Sequence, residues 1–409
     1  MANLEEIVEL SEALVEHHID INEKRCVAVR NRNARCKKCV EVCPANAITV
    51  GLNKININHT ECVACGICAR VCPTEALIAI VPNDEVFARD IAEAKENTGG
   101  KIYIACARIA TLNHADTTKF VQVPCLSRVD EASLLCAAKL YPESITLIDG
   151  NCATCKYGTR QDSIDECVIT CNRALKLVGA PARIGKQTGF PAEIETMSDE
   201  EYFAQDRRLF FSSLGTNTIK TGSRLAKTTI RQKLGEKSAA KKTAVSGLKV
   251  NDKGVIPQIE SKRHERILDT LFSFAEESDR VEDETVFESK FFGVVNIEAQ
   301  KCRACDMCVT FCPTGAITKP EGTESEYSKN SENKALSHSS KKQNKEAPYV
   351  LEFSPSKCVG CQLCENVCIS RAIHVENNLN LKTLFAFEPQ VFDLGVRRGS
   401  GSRLFGGNS

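Results

Sequence analysis

The residues best suited to chemistry are cysteines, and their clearest group lies between positions 62 and 73. Cys62, Cys65 and Cys68 stand at every third position, and Cys72 follows together with Pro73. A loop with a thiolate at every third residue can wrap one face of an iron–sulfur cube and bind three of its irons. The spacing therefore predicts an iron–sulfur site rather than a zinc site or disulfides.

The same pattern recurs three times, which makes internal repetition the main organising feature of the chain. Each run has an apolar residue five positions before its first Cys and ends in Cys-x-x-x-Ala followed by Ile or Leu. Each repeat therefore predicts a strand, a cluster loop, a short helix that begins at the residue after the fourth Cys, and a second strand. The other runs contain Cys36, Cys39 and Cys43; Cys302, Cys305, Cys308 and Cys312; and Cys358, Cys361, Cys364 and Cys368.

The first run departs from this spacing. Its leading position falls on Asn33, which is not a natural ligand for such a cluster. Cys26 can take the role if residues 27–35 form a longer loop. We expect that loop to be a solvated insertion, with a contact surface for an acidic partner as the alternative. Ile369 replaces the proline after Cys368, which removes no ligand.

The paired runs, 26–72 and 302–368, resemble two bacterial-type dicluster ferredoxin domains. The resemblance implies α+β ferredoxin-like modules with four 4Fe–4S clusters, in which the fourth Cys of each run binds the cluster of its partner run. The implied ligand sets are Cys26, Cys36, Cys39 and Cys72; Cys62, Cys65, Cys68 and Cys43; Cys302, Cys305, Cys308 and Cys368; and Cys358, Cys361, Cys364 and Cys312.

Between the two modules, residues 84–184 alternate apolar runs with helix-like segments. This order predicts a small α/β domain with a parallel sheet, whose sites form at the carboxyl ends of the strands. Cys106, Cys125 and Cys152 each lie at or just after the end of one predicted strand. We expect these thiols to meet at one edge of the sheet and to hold a further metal centre.

This segment resembles the small iron–sulfur delta subunit of methyl-viologen-reducing hydrogenases. The resemblance rests on Cys106, on Val-Pro-Cys125-Leu-Ser-Arg, and on Cys152-Ala-Thr-Cys155. It implies a 2Fe–2S centre, although the tight final spacing leaves a 4Fe–4S cluster open, and it implies electron transfer to a flavin- or cluster-bearing partner. The first candidate ligand set is Cys106, Cys125, Cys152 and Cys155, and a rival set is Cys152, Cys155, Cys167 and Cys171. Cys136 is interpreted as a packing residue.

These features divide the chain into six parts. They are an N-terminal helix (1–24), a ferredoxin-type domain (25–82), the α/β domain (83–185), an extended linker (186–290), a second ferredoxin-type domain (291–378) with a disordered insertion (319–347), and a C-terminal arm (379–409). Within the linker, the sequence predicts a helix near Arg263–Glu277. A basic stretch at 219–243 has no aromatic platforms, so we interpret it as linker rather than as a nucleic-acid site.

Composition narrows the class of protein further. The 409 residues include 53 basic and 53 acidic side chains and 23 cysteines. No secretory signal and no apolar run long enough to span a bilayer are recognisable, so we expect a reducing cytoplasm and no membrane insertion. Without a P-loop, a dinucleotide-binding motif or clustered histidines, we expect no catalytic site.

The sequence therefore predicts an electron-transfer subunit of a cytoplasmic oxidoreductase complex. It would relay single electrons between a catalytic subunit and a flavin subunit or ferredoxin. The catalytic partner could be a molybdenum or tungsten enzyme, a hydrogenase or a flavoprotein. Two alternatives stay open: a redox sensor with the basic stretch as its effector, and an enzyme with Cys106 or Cys125 as nucleophile.

Overall fold

The computed structural model divides the chain into two compact units. It describes residues 18–80, 82–142, 145–150, 152–158, 161–194, 196–201, 204, 256–320 and 348–396. The first unit is formed by residues 1–29, 37–247 and 262–280, and the second by residues 30–36, 248–261 and 281–409. Residues 1–17 of the predicted N-terminal helix (1–24) and the basic stretch 219–243 lie outside the described residues.

The first ferredoxin-type module belongs mainly to the first unit. Strands β1 (Ile19–Ile21) and β4 (Leu77–Ala79) pair antiparallel, so β1 is the strand that the repeat predicts before Cys26, and residues 19–21 are not part of an N-terminal helix. Strands β2 (Ile48–Gly51) and β3 (Lys54–Ile57) form a hairpin. Asn53 in its turn has a φ of 53°, a conformation that Asn tolerates. The short helices are α1 (Val27–Arg30), α2 (Lys38–Glu41) and α3 (Ile67–Val71).

The predicted solvated loop after Cys26 is only partly right. Val27, Ala28 and Val29 are buried in α1, because these small apolar residues form a helical turn instead of an extended insertion. Residues 32, 33 and 35 are exposed, as expected of the remainder of that segment.

The prediction of a helix after each fourth Cys is wrong. The helical turns α2 and α3 lie before Cys43 and Cys72, and a turn follows each of these cysteines. The third residue after the Cys has a positive φ, 51° at Asn46 and 50° at Glu75, which ends any helix there. This geometry lets the next backbone N–H return to the cysteine sulfur.

The central domain contains the predicted parallel sheet. Its strands are β5 (Ile102–Cys106), β6 (Val121–Val123), β7 (Ile145–Ile148) and β8 (Ile184–Gln187). Their spatial order is β6-β5-β7-β8, and each contributes its carboxyl end to one edge. Ile102, Ile104, Ile145 and Leu147 are at most 1 % exposed, which is typical of strands covered on both faces.

Helices cover this sheet, and two of them begin at residues whose side chains cap the first turn. Asn83 accepts a hydrogen bond from Val86 N at 2.9 Å, and Asp130 accepts one from Ser133 N at 2.7 Å. These caps satisfy backbone donors that have no partner within the helix. The helices are α4 (Asp84–Asn97), α5 (Ala107–Asn113), α6 (Glu131–Leu140) and α7 (Gln161–Leu177).

Helix α8 (Lys262–Glu277) confirms the helix predicted within the linker, but it belongs to the first unit. It packs against α6, where Lys139 Nζ lies 2.5 Å from Glu277 Oε1 and Cys136 Sγ lies 3.4 Å from Thr270 Oγ1. The segment 186–290 is therefore not an extended linker throughout. The apolar face of α8 packs the carboxyl-terminal part of this segment against the α/β domain.

Truncating Leu271 of α8 to Ala is expected to lower the free energy of unfolding by about 2–5 kcal/mol, because the side chain is 2 % exposed and would leave a cavity. Leu140→Ala is the control, since that side chain on α6 is 68 % exposed, and we expect a change within about 0.5 kcal/mol. Anaerobic denaturant unfolding measures both. Equal effects of the two variants would contradict the packing of α8.

The second unit contains the other ferredoxin-type module. Its strands are β9 (Phe287–Glu288), β10 (Val294–Ile297), β11 (Ile317–Thr318), β12 (Pro348–Phe353), β13 (Ile373–Glu376), β14 (Asn378–Leu379) and β15 (Gln390–Val396). Strand β10 pairs with β13, β9 pairs with β14, and β12 lies between β11 and β15, with all these pairs antiparallel. The short helices are α9 (Met307–Phe311), α10 (Leu363–Val367) and α11 (Leu381–Phe385).

The predicted insertion and C-terminal arm are only partly described. Residues 321–347 and 397–409 lie outside the described residues. The expectation of an arm from residue 379 is wrong for its first part, because α11 packs with buried Leu381 and Leu384 and β15 extends the sheet. In the described parts of the chain, no helix is long and apolar enough to cross a membrane.

Candidate iron–sulfur centres

Four thiols of the first module share one cavity. Cys43 lines it together with Cys62, Cys65 and Cys68, although two strands and a hairpin turn separate Cys43 from the other three in sequence. Apolar side chains complete the lining, among them Ile19, Ile48 and Ile57. The cavity thus combines sulfur ligands with a water-excluding wall, which are the features that an iron–sulfur cluster requires.

Backbone N–H groups are directed at the cysteine sulfurs. Ala47 N donates to Cys43 Sγ at 3.3 Å and Ala76 N donates to Cys72 Sγ at 3.2 Å. In the second unit, Ala372 N donates to Cys368 Sγ at 3.2 Å. These donors stabilise a thiolate, so they fit a metal-bound cysteine and explain why the repeat places a small Ala at that position.

Burial opposes free thiolates at the cavity. It raises the pKa of Cys65 to about 11 although Ile67 N–H donates to that sulfur, and the charges of Cys125, Cys43 and Cys62 act in the same direction as burial. Burial raises the pKa of Cys68 still further. Cluster ligands must be deprotonated, and a positively charged metal group would offset this cost. The donor set therefore fits a cluster.

The remaining cysteines of the first module are divided between the units. Cys26, Cys39 and Cys72 belong to the first unit, and Cys36 belongs to the second. Cys26 and Cys39 are buried, whereas Cys36 and Cys72 are partly exposed. Their joint ligation of one cluster stays a prediction.

The second module brings its thiols together in two groups. Cys308 lies close to Cys302 and Cys305, and burial together with these neighbours raises its pKa. Cys364 is buried against the other group, with the same effect on its own pKa, and that group comprises Cys358, Cys361 and Cys312.

The backbone approaches Cys358 closely. Burial raises the pKa of Cys358 to about 12, while the backbone N–H groups of Gly360 and Gly293 act in the opposite direction, and Gly293 N donates to Cys358 O at 3.2 Å. A Cβ atom on Gly293 would lie 3.1 Å from that sulfur, so glycine permits this approach. The same backbone N–H groups would stabilise a bound thiolate.

In the central domain, Cys106, Cys125, Cys152 and Cys155 meet at the carboxyl edge of the parallel sheet. Burial raises the pKa of Cys152 to about 11, and the charges of Asp149 and of the other three thiols act in the same direction. Burial likewise raises the pKa of Cys106, with Cys125 and Cys155 nearby. The four thiols of the first candidate set thus lie near one another, and their ligation of one centre stays a prediction.

The rival ligand set is not assembled in the same way. Cys167 and Cys171 lie on α7 and are at most 2 % exposed. Their thiols donate to backbone carbonyls, Cys167 to Val129 O at 3.8 Å and Cys171 to Glu131 O at 3.9 Å. These contacts are typical of structural cysteines. Among the described residues, no group of three or more His, Cys, Asp or Glu is arranged around a single metal ion, which holds for both candidate sets alike.

A junction that the sequence did not reveal joins the first module to the central domain. Gly66 follows Cys65, and a Cβ atom added there would lie 2.6 Å from Cδ and 3.2 Å from Cα of Arg128. Arg128 follows Cys125 in the Pro-Cys-Leu-Ser-Arg segment, and its Nη2 donates to Pro82 O at 2.8 Å. The two cysteine loops are therefore in direct contact. Their motifs indicated sites, but not that the sites adjoin.

Replacing Gly66 with Ala is expected to destabilise this junction, since Gly66 has a φ of 73° and no space for a Cβ. We expect a loss of about 1–2 kcal/mol from the left-handed backbone and about 1–3 kcal/mol from overpacking. Gly99→Ala is the matched control, because its φ is 67° but no atom lies within 4 Å of its Cβ position. Anaerobic denaturant unfolding compares them, and equal losses would contradict the contact.

Known proteins resemble the two ferredoxin-type modules of this chain. The 4Fe–4S dicluster domain family matches residues 32–76 and 301–372. Ferredoxin-1 of Caulobacter vibrioides is 47% identical over 45 residues, which cover 10% of this chain and 40% of that protein. A ferredoxin of Rickettsia felis is 32% identical over 75 residues, which cover 18% of this chain and 69% of the relative.

The chain is also similar to a protein that is not named a ferredoxin. One subunit of an ion-translocating oxidoreductase complex of Methanosarcina acetivorans is 45% identical over 42 residues, 10% of this chain and 16% of that subunit. This chain covers 40–45% of the first three ferredoxins that it matches. The matches support iron–sulfur electron transfer, and through its two dicluster domains the chain belongs to the 4Fe–4S ferredoxin family.

Proposed function

We propose that this protein relays single electrons within an oxidoreductase complex, between a catalytic subunit and a flavin subunit or ferredoxin. The observation that carries the proposal is the adjacency of two thiol groups in the first unit. The cavity of Cys43, Cys62, Cys65 and Cys68 adjoins the loop of Cys125, through the contact of Gly66 with Arg128. Adjacent redox centres suit an electron relay.

The proposed relay contains four 4Fe–4S clusters. Crossed ligation is supported for one of them by the position of Cys43 in the cavity of the other run, and by the closeness of Cys312 to Cys358, Cys361 and Cys364 for another. By the same rule, Cys72 would complete the set of Cys26, Cys36 and Cys39, and Cys368 that of Cys302, Cys305 and Cys308. Bound clusters would supply one-electron oxidation and reduction.

A fifth centre is proposed at the central sheet edge. Cys106, Cys125, Cys152 and Cys155 would hold it, as a 2Fe–2S or 4Fe–4S cluster. Arg108 orients this region, because its Nη2 donates to Thr154 Oγ1 at 2.9 Å. The chain's own contribution is to gather the thiols from separate strand ends and to shield them partly from water.

The partners are proposed on the same basis. One relative is named as a subunit of an oxidoreductase complex, which supports assembly with redox partners. A molybdenum or tungsten enzyme, a hydrogenase or a flavoprotein would suit the catalytic role, in the cytoplasm. In this proposal the partner carries out the reaction itself, and this chain supplies or removes the electrons.

Anaerobic purification followed by iron analysis and EPR tests this function. The full chain is expected to carry 4Fe–4S signals upon reduction, to copurify with redox subunits, and to pass electrons from dithionite to a viologen dye. A chain that contains iron but copurifies with nothing and passes no electrons would overturn the proposal.

A further inference from the structure

An arginine outside every cysteine motif contacts the backbone of a predicted ligand. Arg263 is the second residue of α8. Its Nη1 donates to Ala69 O at 2.8 Å and its Nη2 donates to Cys72 O, while its own backbone N donates to Glu75 Oε1 at 3.0 Å. One side chain thus covers the end of α3 and the residue that carries the Cys72 thiol.

Other charged side chains lie near the contact between Arg263 and Cys72. Glu75 also pairs with Arg25, whose Nη2 lies 3.3 Å from Glu75 Oε2 and whose Nε donates to Thr74 O at 2.8 Å. The turn that follows Cys72 thus has Glu75 beside two arginines, of which Arg25 pairs with its carboxylate and Arg263 donates its backbone N–H to it.

A second carboxylate near Arg263 already has other cationic partners. Burial alone would raise the pKa of Asp130, but Arg263 and Arg128 hold it below its ordinary value. Asp130 also accepts the helix-capping bond from Ser133 N. Arg263 is thus one of several cations at this carboxylate, and it also donates to Cys72 O, which accepts a second bond from Glu75 N at 3.3 Å.

We infer that Arg263 raises the reduction potential of the cluster bound by Cys72. Reduction adds one negative charge to a cluster, and a cation held near a ligand stabilises that charge. Hydrogen bonds around cysteine ligands act in the same direction. The inference rests on the proposed function in one respect, since it requires Cys72 to be a ligand.

The inference assigns a role to the carboxyl-terminal part of the segment 186–290, which the sequence predicts to be a linker. Helix α8 is far from Cys72 in sequence, yet it belongs to the same unit and places the positive charge of Arg263 beside the first module. Arg263 acts through the Cys72 carbonyl and is therefore a positioning residue. A purely structural role would change stability or iron content but not the potential of a fully loaded cluster.

The test is an EPR-monitored redox titration of the full chain. Arg263→Gln retains a hydrogen-bond donor but removes the charge. We expect the reduction equilibrium constant of one cluster to fall about threefold to tenfold, a shift of about 30–60 mV to lower potential for one electron. Iron content should stay at the wild-type level. A Cys72→Ala variant identifies which signal belongs to that cluster.

Two further variants separate charge from fold. Arg263→Lys keeps the charge and is expected to restore most of the potential. Arg266→Gln is the matched control, because Arg266 lies one turn further along α8 and pairs with Asp84 at 2.9 Å. In this variant, the reduction potential of the cluster is expected to equal that of the wild type.

An unchanged potential in fully loaded Arg263→Gln would overturn the inference, as would loss of iron from that variant, which would indicate a structural role. These results leave the proposed function standing. The proposed function fails instead if the wild-type chain itself shows no 4Fe–4S signal.

Discussion

Cys43→Ala is expected to abolish the cluster of Cys62, Cys65 and Cys68, rather than the one next to Cys43 in sequence. The reason is spatial, since Cys43 lines the cavity that contains those three thiols. Removal of one thiolate leaves an iron without its ligand in an apolar pocket. The expected result is a loss of about four irons per chain, measured by iron analysis and by integration of the EPR signal of the reduced protein.

Double variants show which cysteines share a cluster. If ligation is crossed, Cys43→Ala combined with Cys62→Ala loses no more iron than either single change, because both remove the same cluster. Cys43→Ala combined with Cys36→Ala then loses about twice as much. The reverse pattern would show that each run binds its own cluster and would contradict crossed ligation.

The second large effect is expected for Cys125→Ser. Cys125 lies among Cys106, Cys152 and Cys155 at the sheet edge, so its loss should release the iron of the central centre. The 4Fe–4S signals of the ferredoxin-type modules should remain. Iron analysis and EPR measure both quantities, and a variant with its full cluster complement would exclude Cys125 as a ligand.

Two control variants accompany that change. Cys136→Ser should retain all iron, because the Cys136 thiol contacts Thr270 and not the sheet edge. Cys167→Ser should also retain it, since that thiol is buried on α7 and donates to Val129 O. Loss of iron from Cys167→Ser, with none from Cys125→Ser, would instead favour the rival ligand set.

Much of the fold could be predicted, because its signals are local. The strand at Ile48–Gly51 and the helix Lys262–Glu277 are recognisable from their apolar patterns. The parallel order of the central strands is recognisable as well, because strands that alternate with helices leave few other connections.

The predictions were wrong where contacts with residues distant in sequence override a local conformational preference. Proline suits the first position of a helix, so Pro44 predicted one. The chain instead turns at Asn46, which lets Ala47 N reach the Cys43 sulfur. Burial of residues 27–29 has no local signal either, since it depends on surfaces remote in sequence.

The sequence by itself determined which residues are candidates for binding iron–sulfur clusters. Cysteine spacing is a local property of a loop, so it is sufficient to identify the two dicluster modules and the thiols at the strand ends. The tertiary structure alone decided which sites adjoin and which charges surround them. Cys43 reaches the cavity of Cys62, Gly66 meets Arg128, and Arg263 reaches Cys72 because packing brings distant segments together, and no local spacing encodes that proximity.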